Sequence, residues 1–248
     1  MDTEAPHPQR GRSTPDEGEE RPRSAFSPTW RRAGLLGAAC AVFLLVFSNF
    51  VLQPFLIPSR SMEPVFEIGD RVLVNKLAYR FGDRPRRGDL VVFDGAGSFV
   101  REYADSGGNP VGEALHGATS ALGLAEPSGE DFVKRVVGVG GDDVVCCDAD
   151  GRISVNGVPL EEPYLYPGDA PSKVPFRIAV PPGTLWVMGD HRSQSRDSRD
   201  HLGDPGGGMV PVGKVIGRAD WIGWPFPRWG ATDRGATDRG AASGGGHG

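Results

Sequence analysis

The chain has 248 residues, with 27 Lys and Arg against 32 Asp and Glu for a net charge of -5. That length holds one good-sized domain plus tails, and the acidic balance argues against nucleic-acid binding, which calls for a basic patch or stripe. Three cysteines are too few for a disulfide framework, while 37 glycines and 22 prolines favour a loop-rich β fold over a helical bundle.

Residues 1–32 are polar and rich in Pro, Arg and Glu, so they cannot bury a core and are expected to be a disordered segment. Residues 33–57 then run without a charge. A bilayer-spanning helix needs about 20 apolar residues, and a membrane helix is expected over 33–54, ended by Pro54 and Pro58. Arg21, Arg23, Arg31 and Arg32 precede this run, and the next basic residue is Arg60. The bias places the N-terminus in the cytoplasm and the rest outside. The stretch from Ser48 to Pro54 has no small-x-small cleavage site, so the helix reads as an uncleaved anchor.

Beyond the anchor the pattern changes to short β-branched and apolar runs. Strands are predicted near 71–74, 90–93, 132–139, 144–147, 153–155, 178–180, 185–188 and 214–222. Asp150-Gly151 and Asn156-Gly157 mark turns between them. The expected fold is mainly β, a domain over 55–228. Residues 94–130 break the strand pattern and read as an inserted surface loop. A tandem ATDRG repeat and a glycine-rich end make 229–248 a flexible tail. On a strand, Cys146 and Cys147 would point to opposite faces, so free thiols are expected; neither has a neighbouring ligand at metal spacing.

Three segments are dense in chemistry. Pro58-Ser59-Arg60-Ser61-Met62-Glu63-Pro64 follows the anchor directly. Taken alone it is a polar linker with two ordinary serines. Lys134 stands inside an apolar strand, Phe132 to Val139, on the same side as Phe132 and Val136. If that side is core, burial disfavours the ammonium and leaves an amine able to act as a base. Otherwise Lys134 is a lysine snorkelling from a strand edge. The third segment, Met188 to Arg199, packs short polar side chains after an apolar strand and supplies either site hydroxyls and ion pairs or a solvated loop.

PSRSMEP after an anchor, FVKRVVGVGGD in the middle and GDHRSQSRDSR near the end resemble, in order and context, the motifs of type I signal peptidases; RGDLVVF at 87–93 resembles a further strand of that family. The resemblance covers about 30–226 apart from the insertion. It implies a signal-peptidase-type antiparallel β-sheet catalytic domain and a membrane-bound serine endopeptidase cutting after Ala-x-Ala-like sites. By similarity Ser61 is the nucleophile and Lys134 the general base. The Ser61 N–H and the Ser59 hydroxyl form the oxyanion hole. Ser195 hydrogen-bonds Lys134, and Asp197 pairs with Arg199 to hold the loop; Arg135 and Asp190 support the same framework. Ile57, Pro58, Asp131 and Phe132 are the candidate substrate contacts, along an edge where the substrate adds as an extended strand. No cofactor and no metal are implied. The implied partners are signal peptides of secreted preproteins, the lipid bilayer and the protein-export machinery, with no nucleic acid.

Two positions depart from the family. His191 stands where Asn is common and is expected to replace an amide in a structural hydrogen bond rather than join a triad. Arg60 replaces a small residue and is expected to face solvent. Trp221, Trp224, Phe226 and Trp229 either touch a membrane interface or finish the core, the latter being favoured for Trp221 and Trp224. The competing functions are a Ser–Lys self-cleaving regulatory protease, a signal peptidase of narrow substrate range, and a non-catalytic membrane-anchored β module that binds extracytoplasmic partners. The anchor and the lack of a DNA-binding N-terminal domain disfavour the first.

Overall fold

The computed structural model describes residues 28–100 and 131–232. The chain divides into two units, Met1–Ala41 and Val42–Gly248. Among the described residues there is one α-helix, α1 (Pro28–Phe50), which has 23 residues and at 1.5 Å per residue is about 35 Å long. Its window Trp30–Phe47 has a mean hydropathy of 1.6, and its apolar side chains are exposed. By length and composition it can cross a membrane. The helix stops at Phe50, before either proline. Residues 52–56, read from sequence as part of the apolar run, form a strand instead, because Pro54 cannot sit inside a helix but tolerates a sheet edge. The expectations for residues 1–27, 101–130 and 233–248 lie outside the described residues.

The remaining described chain is mainly antiparallel β. Its strands are β1 (Leu52–Leu56), β2 (Arg71–Asn75), β3 (Leu90–Asp94), β4 (Asp131–Val139), β5 (Asp143–Cys146) and β6 (Ile153–Val155), then β7 (Val158–Pro159), β8 (Phe176–Ala179), β9 (Thr184–Met188), β10 (Val210–Pro211), β11 (Val215–Trp224) and β12 (Gly230–Ala231). One sheet runs β1-β2-β11-β3-β4-β9-β10 with β12 added on β11, and a four-stranded sheet runs β7-β6-β5-β8. A tight turn at 140–142 carries the chain from β4 in the first sheet to β5 in the second. Asn156 and Gly157 close the β6–β7 hairpin with φ of 53° and 78°, the left-handed pair that a two-residue turn of this kind requires.

β3 and β4 sit in the middle of the larger sheet, and both faces of each are covered. Val91, Phe93 and Val136 pack with Leu185 and Val187 in one cluster. Leu90 and Val92 pack with Met62, Phe66 and Val72 in another, and Val137 packs with Trp186 and Met188 in a third. Near-continuous apolar runs in β3 and β4 are the sequence sign of such double burial. The strand that carries Lys134 therefore has no outward face over its central residues.

Two expectations are corrected. Cys146 and Cys147 are joined in a disulfide, not free. β5 ends at Cys146, so the alternation that would send Cys147 to the opposite face does not reach it. Trp221 and Trp224 do not finish the core: they are 45% and 48% exposed, beside Phe226 and Trp229 at 65% and 57%. Phe226 makes ring contacts with both Trp224 and Trp229, at 5.0 and 5.9 Å between centroids.

Candidate active site

Ser61 lies in the turn region between β1 and β2, and the core fixes that region at both ends. Before it, buried Ile57 accepts from the Gly69 N–H at 2.9 Å and donates to the Asp70 carbonyl at 2.8 Å. After it, Met62 and Phe66 are fully buried, and the Phe66 N–H bonds back to the Met62 carbonyl at 2.9 Å. Arg228, far along the chain, clamps the same region: it bonds the Val65 carbonyl at 3.0 Å, pairs with Asp70 and also pairs with Glu67. Nothing in the sequence marks Arg228 for this role, since it lies 163 residues from Val65.

β4 brings Lys134 to the serine. The Lys134 Nζ donates to Ser61 Oγ at 2.8 Å and to its neighbour's Val133 carbonyl at 3.1 Å. Both groups are buried, Lys134 at 4% and Ser61 at 6% exposed. Burial lowers the lysine's pKa from 10.5 to about 8, against the opposing pull of the Asp197 and Asp190 charges. Of the two sequence readings for Lys134, the buried amine holds and the snorkelling one does not. Ser59 Oγ is 3.3 Å from Ser61 Oγ, so Ser59, Ser61 and Lys134 converge.

The loop after β9 packs against the back of this pair. The backbone of Gly189 is wedged so tightly that a Cβ there would lie 2.3 Å from Ser195 Oγ and 2.4 Å from the Ser61 carbonyl oxygen. No side chain fits between those atoms, which is the physical reason for glycine at this point. The His191 N–H donates to that same Ser61 carbonyl at 3.2 Å. Asp197 receives a two-pronged contact from Arg199, at 2.8 and 2.9 Å, and accepts the Gly189 N–H at 3.0 Å. Burial works against the Asp197 carboxylate, but Arg199 and the Gly189 N–H outweigh it and hold the group below the usual carboxylate range. Arg135 and Asp190, both fully buried, form a two-pronged pair at 2.7 and 2.6 Å.

One implied contact is absent. Ser195 is buried beside Asp197, whose carboxylate it helps to hold ionised, and the Lys134 amine turns to Ser61 and Val133 instead. Ser195 Oγ and the Ser61 carbonyl oxygen both crowd the Cα of Gly189, so Ser195 stays beside the Ser61 backbone without taking the lysine amine. His191 does not enter a triad: its backbone meets Ser61, while its ring faces Glu63 and Tyr166. Arg60 is exposed, 3.8 Å from Glu63.

The candidate substrate contacts are dispersed in kind. Ile57 is a core residue, Pro58 is exposed, and Asp131 and Phe132 are half-buried at the start of β4. β3 pairs with β4 from Asp131 to Arg135, whereas the pairing with β9 begins at Arg135. Among the described residues, the Phe132–Lys134 stretch therefore has a strand neighbour on one side only. That open stretch ends at the residue whose amine holds the serine.

A buried serine and lysine in hydrogen-bond contact beside an open strand edge is an arrangement for attack on an extended peptide. Comparison with known proteins agrees. A family model described as "Signal peptidase, peptidase S26" matches residues 30–224. Signal peptidase I of Mycobacterium tuberculosis is 42% identical over 233 residues, covering 86% of this chain and 79% of that protein. A probable signal peptidase I of Mycobacterium leprae is 39% identical, covering 86% and 81%. Signal peptidase I of Bacillus caldolyticus is 32% identical, covering 76% and 87%. The match spans the β domain and reaches back into the apolar helix, so the chain belongs to the S26 signal peptidase family.

Proposed function

We propose that this chain is a membrane-bound serine endopeptidase that removes N-terminal signal peptides from exported preproteins, cutting after Ala-x-Ala-like sites. Ser61 is the nucleophile and Lys134 the general base. The observation that carries the reading is the 2.8 Å contact between the Lys134 amine and Ser61 Oγ. With a pKa of about 8, roughly a tenth of the lysines are neutral at pH 7, enough to take the serine proton.

The geometry supports the following steps. Neutral Lys134 accepts the Ser61 proton as Oγ adds to the scissile carbonyl carbon. The oxyanion so formed is held by the Ser61 N–H and the Ser59 hydroxyl. The Lys134 ammonium then protonates the leaving amine, and the new N-terminus of the mature protein departs. Lys134, neutral again, takes a proton from water as its oxygen adds to the acyl carbon; the ammonium then returns that proton to Ser61 Oγ as the acyl bond breaks, which frees the signal peptide and restores both residues. No third triad member is needed, because burial rather than a carboxylate tunes the base. The open edge at Phe132–Lys134 supports docking of the substrate as an added strand.

The arginines before the uncharged run, Arg21, Arg23, Arg31 and Arg32, support an N-terminus in the cytoplasm and a catalytic domain on the extracytoplasmic side. The exposed Trp221, Trp224, Phe226 and Trp229 support contact of that domain with the bilayer, where aromatics with polar edges accumulate. Delivery of substrate by the export machinery completes the reading.

Incubating the purified full chain in detergent with a preprotein whose signal ends in Ala-x-Ala tests this function. The expected product begins at the residue after the last alanine. Ser59→Ala is expected to slow the reaction by about 10²–10³-fold, the usual effect of losing one oxyanion donor. Uncut precursor with wild-type protein would favour a non-catalytic anchored module.

A further inference from the structure

The chemistry above leaves one buried titratable side chain beside the nucleophile unused. His191 is 7% exposed and lies two residues past Gly189. Its N–H holds the Ser61 carbonyl at 3.2 Å, and its ring Nδ1 stands 3.4 Å from a Glu63 carboxylate oxygen. That approach is not aligned as a hydrogen bond, so Nδ1 is a buried polar atom tethered only by charge and proximity. The ring lies flat on Tyr166, with centroids 3.8 Å apart and planes 6° from parallel. Tyr166 is itself tied in, its N–H donating to the Asp190 carbonyl at 3.1 Å.

Glu63 is on the same turn as Ser61. Its N–H bonds the Arg60 carbonyl at 3.0 Å, closing the chain around the serine. Its other charged neighbour, Arg60, approaches to 3.8 Å with a side chain that is 66% exposed, and so holds it weakly. The remaining charge that His191 meets is the Asp169 carboxylate, on the loop that carries Tyr166. The imidazole thus bridges three segments: the Ser61–Glu63 turn, the loop around Tyr166 and the loop after β9.

We propose that His191 is a positioning residue which, through Glu63 and Tyr166, sets the Ser61 turn so that Oγ stays in bonding distance of Lys134. The proposal rests on the Ser61–Lys134 reading above. The buried Met62 and Phe66 anchor the turn on its core side; on the other, the His191 N–H and the Gly189 backbone meet the Ser61 carbonyl and the His191 ring reaches Glu63. A nucleophile must be held within about 0.5 Å, and a misplacement of about 1 Å costs on the order of 10²-fold in rate. Loss of this restraint therefore falls on turnover, while substrate affinity, set along the β4 edge, stays as it was.

The test is steady-state cleavage of the preprotein by full-length wild type, His191→Ala, His191→Asn, Glu63→Gln and the double variant His191→Ala/Glu63→Gln, with a thermal midpoint for each. His191→Ala and Glu63→Gln are each expected to lower kcat roughly ten- to a hundredfold at unchanged KM. The double variant is expected to be no slower than the slower single, because both remove one contact. His191→Asn is expected to recover most of the rate, since an amide keeps a polar group that can reach Glu63. Single variants within twofold of wild type, losses that multiply in the double, or a rise in KM at constant kcat would each overturn the positioning role. If His191→Ala does not fold, Glu63→Gln and His191→Asn decide it alone. An inactive wild type would instead overturn the protease reading on which the proposal stands.

Discussion

Lys134→Ala and Ser61→Ala are each expected to reduce preprotein cleavage by about 10³-fold or more without unfolding the β domain. General-base catalysis contributes about 10²–10⁴-fold, and residues that act as one unit lose nearly everything when either is removed. The double variant should accordingly be no slower than either single. Stability should move in the opposite sense. The folded-state pKa of Lys134 lies near 8, below its ordinary value of 10.5. The unfolded chain thus binds the proton more tightly. Burial of the amine is a cost at neutral pH, and that cost is relieved as pH rises from about 8 towards 10.5. Lys134→Met keeps the volume and removes the amine, so its thermal midpoint at pH 7 is expected to be no lower than that of wild type. Activity lost together with the fold would contradict this account, and so would a Lys134→Met protein that still cuts.

Asp190→Ala is expected to destabilise the β domain by about 3–5 kcal/mol, the usual cost of stranding one partner of a buried ion pair. Arg135 is fully buried, and its guanidinium contacts include the two Asp190 oxygens and the Gly88 carbonyl at 3.0 Å. It also lies over the Tyr164 ring, 3.8 Å from its centroid. Without Asp190 the buried guanidinium loses both oxygens of this paired carboxylate. Replacing both partners by apolar residues, Arg135→Met with Asp190→Leu, is expected to cost less than Asp190→Ala alone, since no uncompensated charge remains. Urea unfolding at unchanged m-value measures both. A single variant within about 1 kcal/mol of wild type would mean that the pair does not hold the loop.

Most strands were legible because Val, Leu, Ile and Phe cluster in short runs between glycines. β3 and β4, buried on both faces, were the clearest. The strands that escaped had physical reasons to do so. β1 continues the apolar run of the helix without a break in composition, so only the two prolines hint that it is not helical. β7, β10 and β12 are two residues each, too short for any periodicity. At the site, the Ser61 and Lys134 segments were legible as motifs, but their contact was not, because it joins positions 73 residues apart. Burial of Lys134 followed from pattern only as one of two readings; the coverage of both faces of β4 decided between them. The contact implied between Ser195 and Lys134 is not made, and the tight approach of Gly189 beside Ser195 is a backbone event that no side-chain pattern records. Glu63 and His191 were visible as residues, yet their pairing depends on two loops meeting, which neither spacing nor composition encodes.

The most direct test of the central claim is the pH dependence of kcat/KM for preprotein cleavage by the full chain between pH 6 and 10. A neutral Lys134 as base predicts a rate that rises through an apparent pKa of about 8 and then levels, with roughly 1% of the plateau left two pH units below the midpoint. A profile that is flat over this range, or one that breaks near the ordinary histidine value and loses that break in His191→Asn, would contradict it.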